Sequence, residues 1–308
     1  MKLNRVFPAG AAAVAAALAF GFAARAHAPA QESASAARPA GSAPRYLNVV
    51  HERLKPGHAA AYDGMLSSIR GSYERFKIPA YWIELKSLTG PDEILAFNLA
   101  DSFGDLEEMG AGIAAGIAAH PELAGLQDRQ LAENTTSVTN FIAERVDALS
   151  FHPATINFAK MRLLHLTVFQ IRPGHEAEFA EAEKGIADAY GKVEGNPAWM
   201  IYAVNAGTPV PAYLMLTLLS SLKDEDAAAA RRAAAMEAAG TAVQQRLQEI
   251  ARSAYESIET NIYIVNPYLS NMPADFTAVD PLSGRLKQHR SLHRTNGKNM
   301  QAPVIKHS

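Results

Sequence analysis

Two histidines occupy the same position in two copies of one sequence pattern. His58 and His175 each follow a basic residue, a proline and a glycine at the end of an apolar run. An aromatic residue, Tyr62 or Phe179, stands four positions later. An imidazole can bind a metal or act as a general base near neutral pH. Because Pro-Gly is a common turn signal, both histidines are more simply explained as residues of the first turn of a helix.

The spacing of the other candidate ligands argues against a metal centre. A zinc site needs three or four ligands, and two of them usually lie close together in sequence. No H-x-x-x-H, H-E-x-x-H or H-x-H pattern occurs before the C-terminal tail, where His289 and His293 stand four positions apart. The 308 residues include no cysteine, which excludes thiolate metal sites, iron–sulfur clusters and disulfides. We therefore expect no metal and no cofactor.

His165 is the histidine that interrupts an apolar strand. It alternates with Leu164 and Leu166, so it shares one face of the strand with Thr167 and Phe169. In the first copy, Asn48 and Tyr46 stand on the equivalent face. We expect the more continuously apolar Leu164 face to pack against helices, and the His165 face to lie between two sheets.

Polar groups inside an apolar enclosure are typical of a small-molecule site. The candidate ligand-binding residues are His165, Asn48, Thr167, Tyr46 and Phe169. The alternative is that His165 is a core residue whose ring is satisfied by a hydrogen bond. No catalytic residue is assigned, because the sequence has no G-x-S-x-G elbow, no phosphate-binding glycine loop and no paired-carboxylate motif.

The chain is organised around an internal duplication. Residues 46–62 and 163–179 align without a gap at an offset of 117 positions, and residues 137–150 match 257–270 further on. Within each copy the apolar period changes in the same order, from strand to helix, to a two-stranded hairpin, to a helix and to a final strand. Each copy is therefore predicted to be a ferredoxin-like β-α-β-β-α-β unit. Such a unit leaves one sheet face uncovered, and a second unit can cover it.

The duplication and the composition together predict six segments. The segments are a signal peptide at 1–30, a flexible linker at 31–44, a first repeat at 45–150, a connection at 151–161, a second repeat at 162–270 and a basic, disordered tail at 271–308. The signal peptide rests on Lys2 and Arg5 followed by an alanine-rich apolar run and small residues at cleavage-like spacing. We therefore expect an exported protein, periplasmic or extracellular.

The repeated motif resembles the dimeric α+β barrel superfamily. The residues that carry this resemblance are 54–58 with Tyr62 and 171–175 with Phe179, within spans 45–150 and 162–270. The superfamily includes antibiotic-biosynthesis-type monooxygenases, NIPSNAP-like proteins, and the chlorite-dismutase and haem-degrading enzymes. The resemblance implies an α+β fold in which two tandem repeats form an intramolecular pseudo-dimer and a single barrel. Functions on such a scaffold vary, so the resemblance assigns no activity.

Three functional hypotheses follow. The first is a protein that binds a small, largely apolar molecule between the facing sheets. The second is an enzyme on the same scaffold, a cofactor-free monooxygenase or a haem-binding member of the superfamily. The third is a partner-binding role at the cell envelope. The formal net charge of −2 gives no general attraction to nucleic acid, and no segment outside the signal peptide is apolar enough to span a membrane. Further self-association of the chain is left open.

Overall fold

A computed structural model describes residue 39, residues 41–195 and residues 197–280. The predicted signal peptide, most of the predicted linker and the predicted tail beyond residue 280 lie outside the described residues. Within them, no helix is long and apolar enough to cross a membrane.

The first unit spans four strands and three helices. Its elements are β1 (Tyr46–Leu54), α1 (Ala59–Phe76), β2 (Ile83–Ser87), β3 (Glu93–Ala100), α2 (Phe103–Ala119), α3 (Leu126–Asn134) and β4 (Thr135–Arg145). The apolar residues of α1 recur at helical spacing and are buried, which fixes the face that packs on the sheet. Pro121 begins a separate 3₁₀ turn after α2, because proline cannot donate the next helical hydrogen bond.

The second unit repeats this order. Its elements are β5 (Leu163–Ile171), α4 (Glu176–Tyr190), β6 (Met200–Ala206), β7 (Ala212–Leu219), α5 (Lys223–Ala239), α6 (Thr241–Ser253) and β8 (Tyr255–Val265). The sequence pattern predicts one long amphipathic helix before β8, but two helices form. Gly240 separates them with a φ of 83°, a conformation outside the helical range that glycine adopts without strain.

The eight strands form one closed barrel in the order β1-β3-β2-β8-β5-β7-β6-β4. Each unit contributes four adjacent strands, and the two units join through antiparallel pairs β2–β8 and β4–β6. The predicted α+β fold with two tandem ferredoxin-like repeats in an intramolecular barrel is thereby confirmed.

The inside of the barrel is packed with apolar side chains from all eight strands. Examples, one from each strand in chain order, are Leu47, Ile83, Phe97, Ala143, Leu164, Tyr202, Leu216 and Tyr263. The predicted orientation of β5 is therefore wrong. Leu164 and Leu166 point into the barrel, whereas His165 points outward toward the helices. Both faces of β5 are covered, so its more apolar face marks the more tightly enclosed side and not the helix side.

Segments outside the strands complete the barrel core. Ala43 before β1, Phe158 in the inter-repeat connection and Phe276 in a short final helix, α7 (Ala274–Val279), all belong to the cluster of buried residues inside the barrel. The flexible linker predicted to extend to residue 44 and the disordered tail predicted from residue 271 are therefore wrong for residues 41–44 and 271–280. Few large apolar residues occur between residues 271 and 280, but Phe276 is fully buried and Met272 and Val279 pack against the same core.

Candidate functional site

A cavity of about 880 Å³ lies outside the barrel in the second unit. Its floor is the outer face of β5, β7 and β8, its walls are α4 and α5, and the connection at residues 155–161 lines one end. It opens to solvent beside β8, where Ile258 and Thr260 are exposed. A volume of this size is in the range of small-molecule and cofactor sites.

The cavity exists because α5 differs from its counterpart α2. Each helix has an aspartate in its first turn, Asp105 or Asp224, whose carboxylate accepts hydrogen bonds from two backbone N–H groups before the helix. That shared cap aligns the two helices at an offset of 119 positions. Where α2 buries Leu106 against its sheet, the equivalent residue of α5 is Glu225.

Two further apolar residues of α2 have smaller or charged equivalents in α5. Met109 and Ile113 of α2 pack on the core of the first unit, and their equivalents in α5 are Ala228 and Arg232, which line the cavity. Ala235 is the buried residue of α5. The first unit therefore fills with leucine, methionine and isoleucine the space that the second unit leaves open.

Two glycines let α2 pack closely on the segment between α1 and β2. A Cβ atom at Gly112 would lie 2.6 Å from the Pro79 ring, and one at Gly116 would lie 2.6 Å from the Ile78 side chain. The equivalent residues of α5 are Arg231 and Ala235. An arginine cannot make so close a contact, and the Arg231 side chain lies instead against Gly195.

His165 and Glu225 form a hydrogen-bonded pair across the cavity. The Nδ1 atom of His165 lies 3.0 Å from a carboxylate oxygen of Glu225. Arg232 is 3.4 Å from the other oxygen of Glu225. On the cavity floor, the hydroxyl oxygens of Thr167 and Thr260 lie 3.0 Å apart.

Glu183, on α4, is the most unusual polar residue of the cavity. Its side chain is 1% exposed, and neither carboxyl oxygen has a hydrogen-bond partner among the described residues. Burial raises the pKa of the Glu183 carboxyl to about 8. A buried carboxyl without partners is costly to ionise, so it carries a proton at neutral pH in the empty cavity.

Two hydrogen-bond donors of the cavity are also unpaired. Trp199 Nε1 and Arg231 Nε are buried and have no acceptor among the described residues. The equivalent tryptophan of the first unit, Trp82, donates its Nε1–H to the Leu269 carbonyl oxygen at 2.9 Å. The second unit therefore leaves polar atoms unsatisfied at a place where the first unit satisfies them, and a bound molecule can supply the missing partners.

Three of the five predicted site residues line this cavity. His165, Thr167 and Phe169 lie on its floor. Tyr46 and Asn48 lie on the outer face of the first unit, where Tyr46 packs against Phe103 at the start of α2 with 4.9 Å between ring centroids. The structure thus brings together the second-repeat residues and separates them from those of the first repeat.

Sequence reasoning missed Glu183, Trp199, Arg231 and Glu225 as site residues. A signal for Glu183 was present, because it stands four positions after Phe179 and next to Ala182, both on the buried stripe of α4. An acidic residue on an apolar stripe indicates a buried carboxyl. Glu225 and Arg231 gave no signal, since charged residues in an alanine-rich helix are typical of a solvated face. Trp199 gave none either, since an aromatic residue beside a strand is more often a core residue than part of a binding site.

His165 is the cavity residue best suited to bind a haem iron. Its Nδ1 atom is occupied by Glu225, which is the arrangement that orients a histidine to bind a metal through Nε2. Lys160, Arg231 and Arg232 on the cavity wall could pair with carboxylate groups of such a cofactor. Within the described residues no group of three metal-binding side chains occurs.

The first unit has its own buried carboxyls beneath α1. Glu52 and Glu84 are each 1% exposed, where the second unit has the apolar Phe169 and Ile201. Burial raises the pKa of Glu52 to about 7, although the Tyr62 hydroxyl and His51 favour its ionised form. Burial and the charges of Glu52 and Asp63 raise the pKa of Glu84 well above its usual range.

Comparison with known proteins gives structural matches only. No protein-family model and no curated protein sequence matches the chain. Similar solved structures include a monooxygenase-like protein from Fusobacterium nucleatum, with 10% identity over 72% of this chain and 93% of the other, at a TM-score of 0.43. An anthrone oxidase-like protein aligns with 17% identity over 72% of this chain and 92% of the other, at a TM-score of 0.44.

A chlorite dismutase-like protein aligns with 11% identity over 76% of this chain and 98% of the other, at a TM-score of 0.43. These proteins belong to the dimeric α+β barrel superfamily that the repeated motif resembles. At such identities and TM-scores the alignments carry no assignment of activity to this chain.

Proposed function

We propose that the protein binds a small, largely apolar molecule in the cavity of its second unit, between the barrel and helices α4 and α5. The observation that carries this proposal is the difference between the two units. The two units have the same strand order and the same aspartate contacts before this helix. Apolar side chains fill the space under the helix in the first unit, and a cavity of about 880 Å³ occupies it in the second. A volume that served only packing would be filled in both.

The lining fits an apolar ligand with few polar groups. Aromatic side chains of Phe169, Tyr190, Trp199 and Tyr255 line the cavity together with aliphatic residues and methionines. The unpaired atoms of Glu183, Trp199 and Arg231 provide a small number of directional contacts. This combination of apolar walls and a few convergent polar groups is typical of binding sites.

Haem is one specific ligand that this site could hold. The observation in its favour is the imidazole of His165, oriented by Glu225. The absorbance spectrum of the purified protein distinguishes this case, because a Soret band that His165→Ala abolishes would identify the ligand as haem.

A helix substitution that fills the cavity tests the proposal. Ala228 lines the cavity on α5, whereas Ala227 on the same helix is exposed. We expect Ala228→Phe to weaken binding of the neutral, solvent-sensitive dye Nile red by about tenfold or more, since an added ring would occupy the ligand's space. Ala227→Phe is the matched control and should bind the dye like the wild type.

Fluorescence titration of the three proteins gives the answer. Equal dye affinity in Ala228→Phe and the wild type would show that the cavity is not the binding site. Circular dichroism of both variants controls for loss of the fold.

A further inference from the structure

Glu183 places an unpaired acid at the wall of an aromatic cavity. Both of its oxygens are buried, and in the described part of the chain neither accepts a hydrogen bond. The equivalent residue of α1, at the offset of 117, is Leu66, which is buried in the core of the first unit. Packing at this helical position is therefore satisfied by leucine, and the carboxyl of Glu183 serves another purpose.

The cavity's own cations do not neutralise Glu183. Arg232 lies beside Glu225, and the side chain of Arg231 packs against Gly195. Burial is the one cause that acts on the pKa of Glu183, with no contribution from a neighbouring positive charge. Among the described residues the carboxylate therefore has no partner, and a bound molecule can supply one.

We propose that the cavity binds a primary amine with an aromatic or apolar body, whose ammonium group pairs with Glu183. This inference rests on the proposed function of the cavity and names the class of its ligand. An ammonium supplies three donors in a compact group, enough for both unpaired oxygens of one carboxylate. The aromatic rings of Tyr190, Trp199 and Tyr255 around the cavity provide the surface that favours a cation and its apolar body.

Binding of the amine should release a proton. Glu183 holds a proton at neutral pH in the empty cavity, and pairing with an ammonium converts it to the carboxylate. A primary amine stays protonated, because its own pKa is about 10. The titratable or charged side chains that face the cavity from the other packed elements are Tyr255 from β8, His165 from β5, Lys160 from the connection, and Asp224, Glu225, Arg231 and Arg232 from α5.

Three indoles that differ in one terminal group test the ligand class. The probes are tryptamine, which carries an ammonium, 3-(2-hydroxyethyl)indole, which is neutral, and indole-3-propionate, which carries a carboxylate. We expect calorimetry at pH 7 to show tryptamine binding about 10- to 100-fold more tightly than the neutral probe, the range of one charge-assisted hydrogen-bonded pair. Titrations in phosphate and in Tris buffer should reveal close to one proton released per tryptamine bound.

Substitution of the carboxyl assigns the preference to Glu183. We expect Glu183→Gln to bind tryptamine and the neutral probe equally and to release no proton. Glu181→Gln is the matched control, because Glu181 lies on the same helix but is exposed and paired with Arg246. Glu183→Leu, which copies Leu66, provides a second variant should the amide disturb folding.

The proposal is overturned if the neutral probe or indole-3-propionate binds wild-type protein as tightly as tryptamine, or if Glu183→Gln keeps the preference. If tryptamine fails to bind while Nile red still binds, the ligand is not a primary amine, but the cavity remains a binding site for small apolar molecules. If Ala228→Phe and Ala227→Phe bind Nile red with equal affinity, the cavity is not the binding site at all.

Discussion

At the residue scale, the two units hold their buried carboxyls in different places. The second unit has Glu183 where the first has Leu66, and the first has Glu52 and Glu84 where the second has Phe169 and Ile201. Neither set is needed by the shared fold, since the other unit does without it. Glu183 differs from the other two because it is one of the residues that line the cavity.

We predict that Glu183→Leu stabilises the protein, and more at pH 8 than at pH 5. The folded-state pKa of Glu183, about 8, lies above the value of about 4.5 for an unfolded glutamate. The folded state therefore holds the proton more tightly, and wild-type stability falls as pH rises through this window. A shift of this size corresponds to at most about 5 kcal/mol, and water in the cavity reduces it.

Urea unfolding of both proteins at pH 5, 6, 7 and 8 measures the difference. Glu181→Gln, with its carboxyl exposed, should show the pH dependence of the wild type. A stability difference between Glu183→Leu and the wild type that does not change with pH would mean that Glu183 ionises normally.

At the element scale, α2 and α5 are equivalent helices that pack differently in the two units. α2 packs closely on the segment between α1 and β2, because Gly112 and Gly116 meet Pro79 and Ile78 directly. α5 has a larger residue at both of these positions, Arg231 and Ala235, and Ala235 is its buried residue. The cavity therefore depends on the packing of α5. The importance of this packing can be tested in the equivalent helix of the first unit, α2, where apolar side chains fill the equivalent space.

We predict opposite effects for two glycine-to-alanine substitutions in the first unit. Gly112→Ala should lower the free energy of unfolding by about 1–3 kcal/mol, because the new methyl group meets a rigid proline ring. Gly71→Ala, in α1, meets no atom within 4 Å and should raise it by about 0.5–1 kcal/mol through helix propensity. Thermal or urea unfolding compares them, and a gain for Gly112→Ala would show that α2 does not pack this closely.

At the scale of the whole molecule, the barrel is closed by pairs that join the units. β2 pairs with β8 and β4 with β6, and the interior draws side chains from both halves. Phe158 and Phe276, which complete that core, lie outside the segments predicted as repeats. Each unit alone would expose the inner face of a four-stranded sheet.

We predict that segments 45–150 and 162–270, expressed separately, each expose apolar surface. Each should bind a hydrophobic dye strongly or associate with a second copy, because its inner sheet face has lost its partner. Mixing the two should reduce dye binding as the interior closes. A stable monomer of either segment without dye binding would show that the units do not depend on each other, and size-exclusion chromatography with dye fluorescence measures this.

The sequence alone determined the repeat and the order of elements. Strand β5 at Leu163–Ile171 and the turns before α1 and α4 follow from apolar period and Pro-Gly, which act between residues close in sequence. The pairing of two units follows from self-similarity, which is found by comparing two stretches of the chain and requires no knowledge of the fold.

Tertiary structure decided which face of each strand carries the site. Alternation separates Leu164 from His165 but does not say which of two covered faces is the barrel interior. Likewise, the charged and alanine-rich residues of α5, such as Glu225 and Ala228, are typical of a solvated helix until β5 is placed beneath them. The cavity depends on how that helix packs against the strands and against α4, and this packing is set by contacts between residues far apart in the chain.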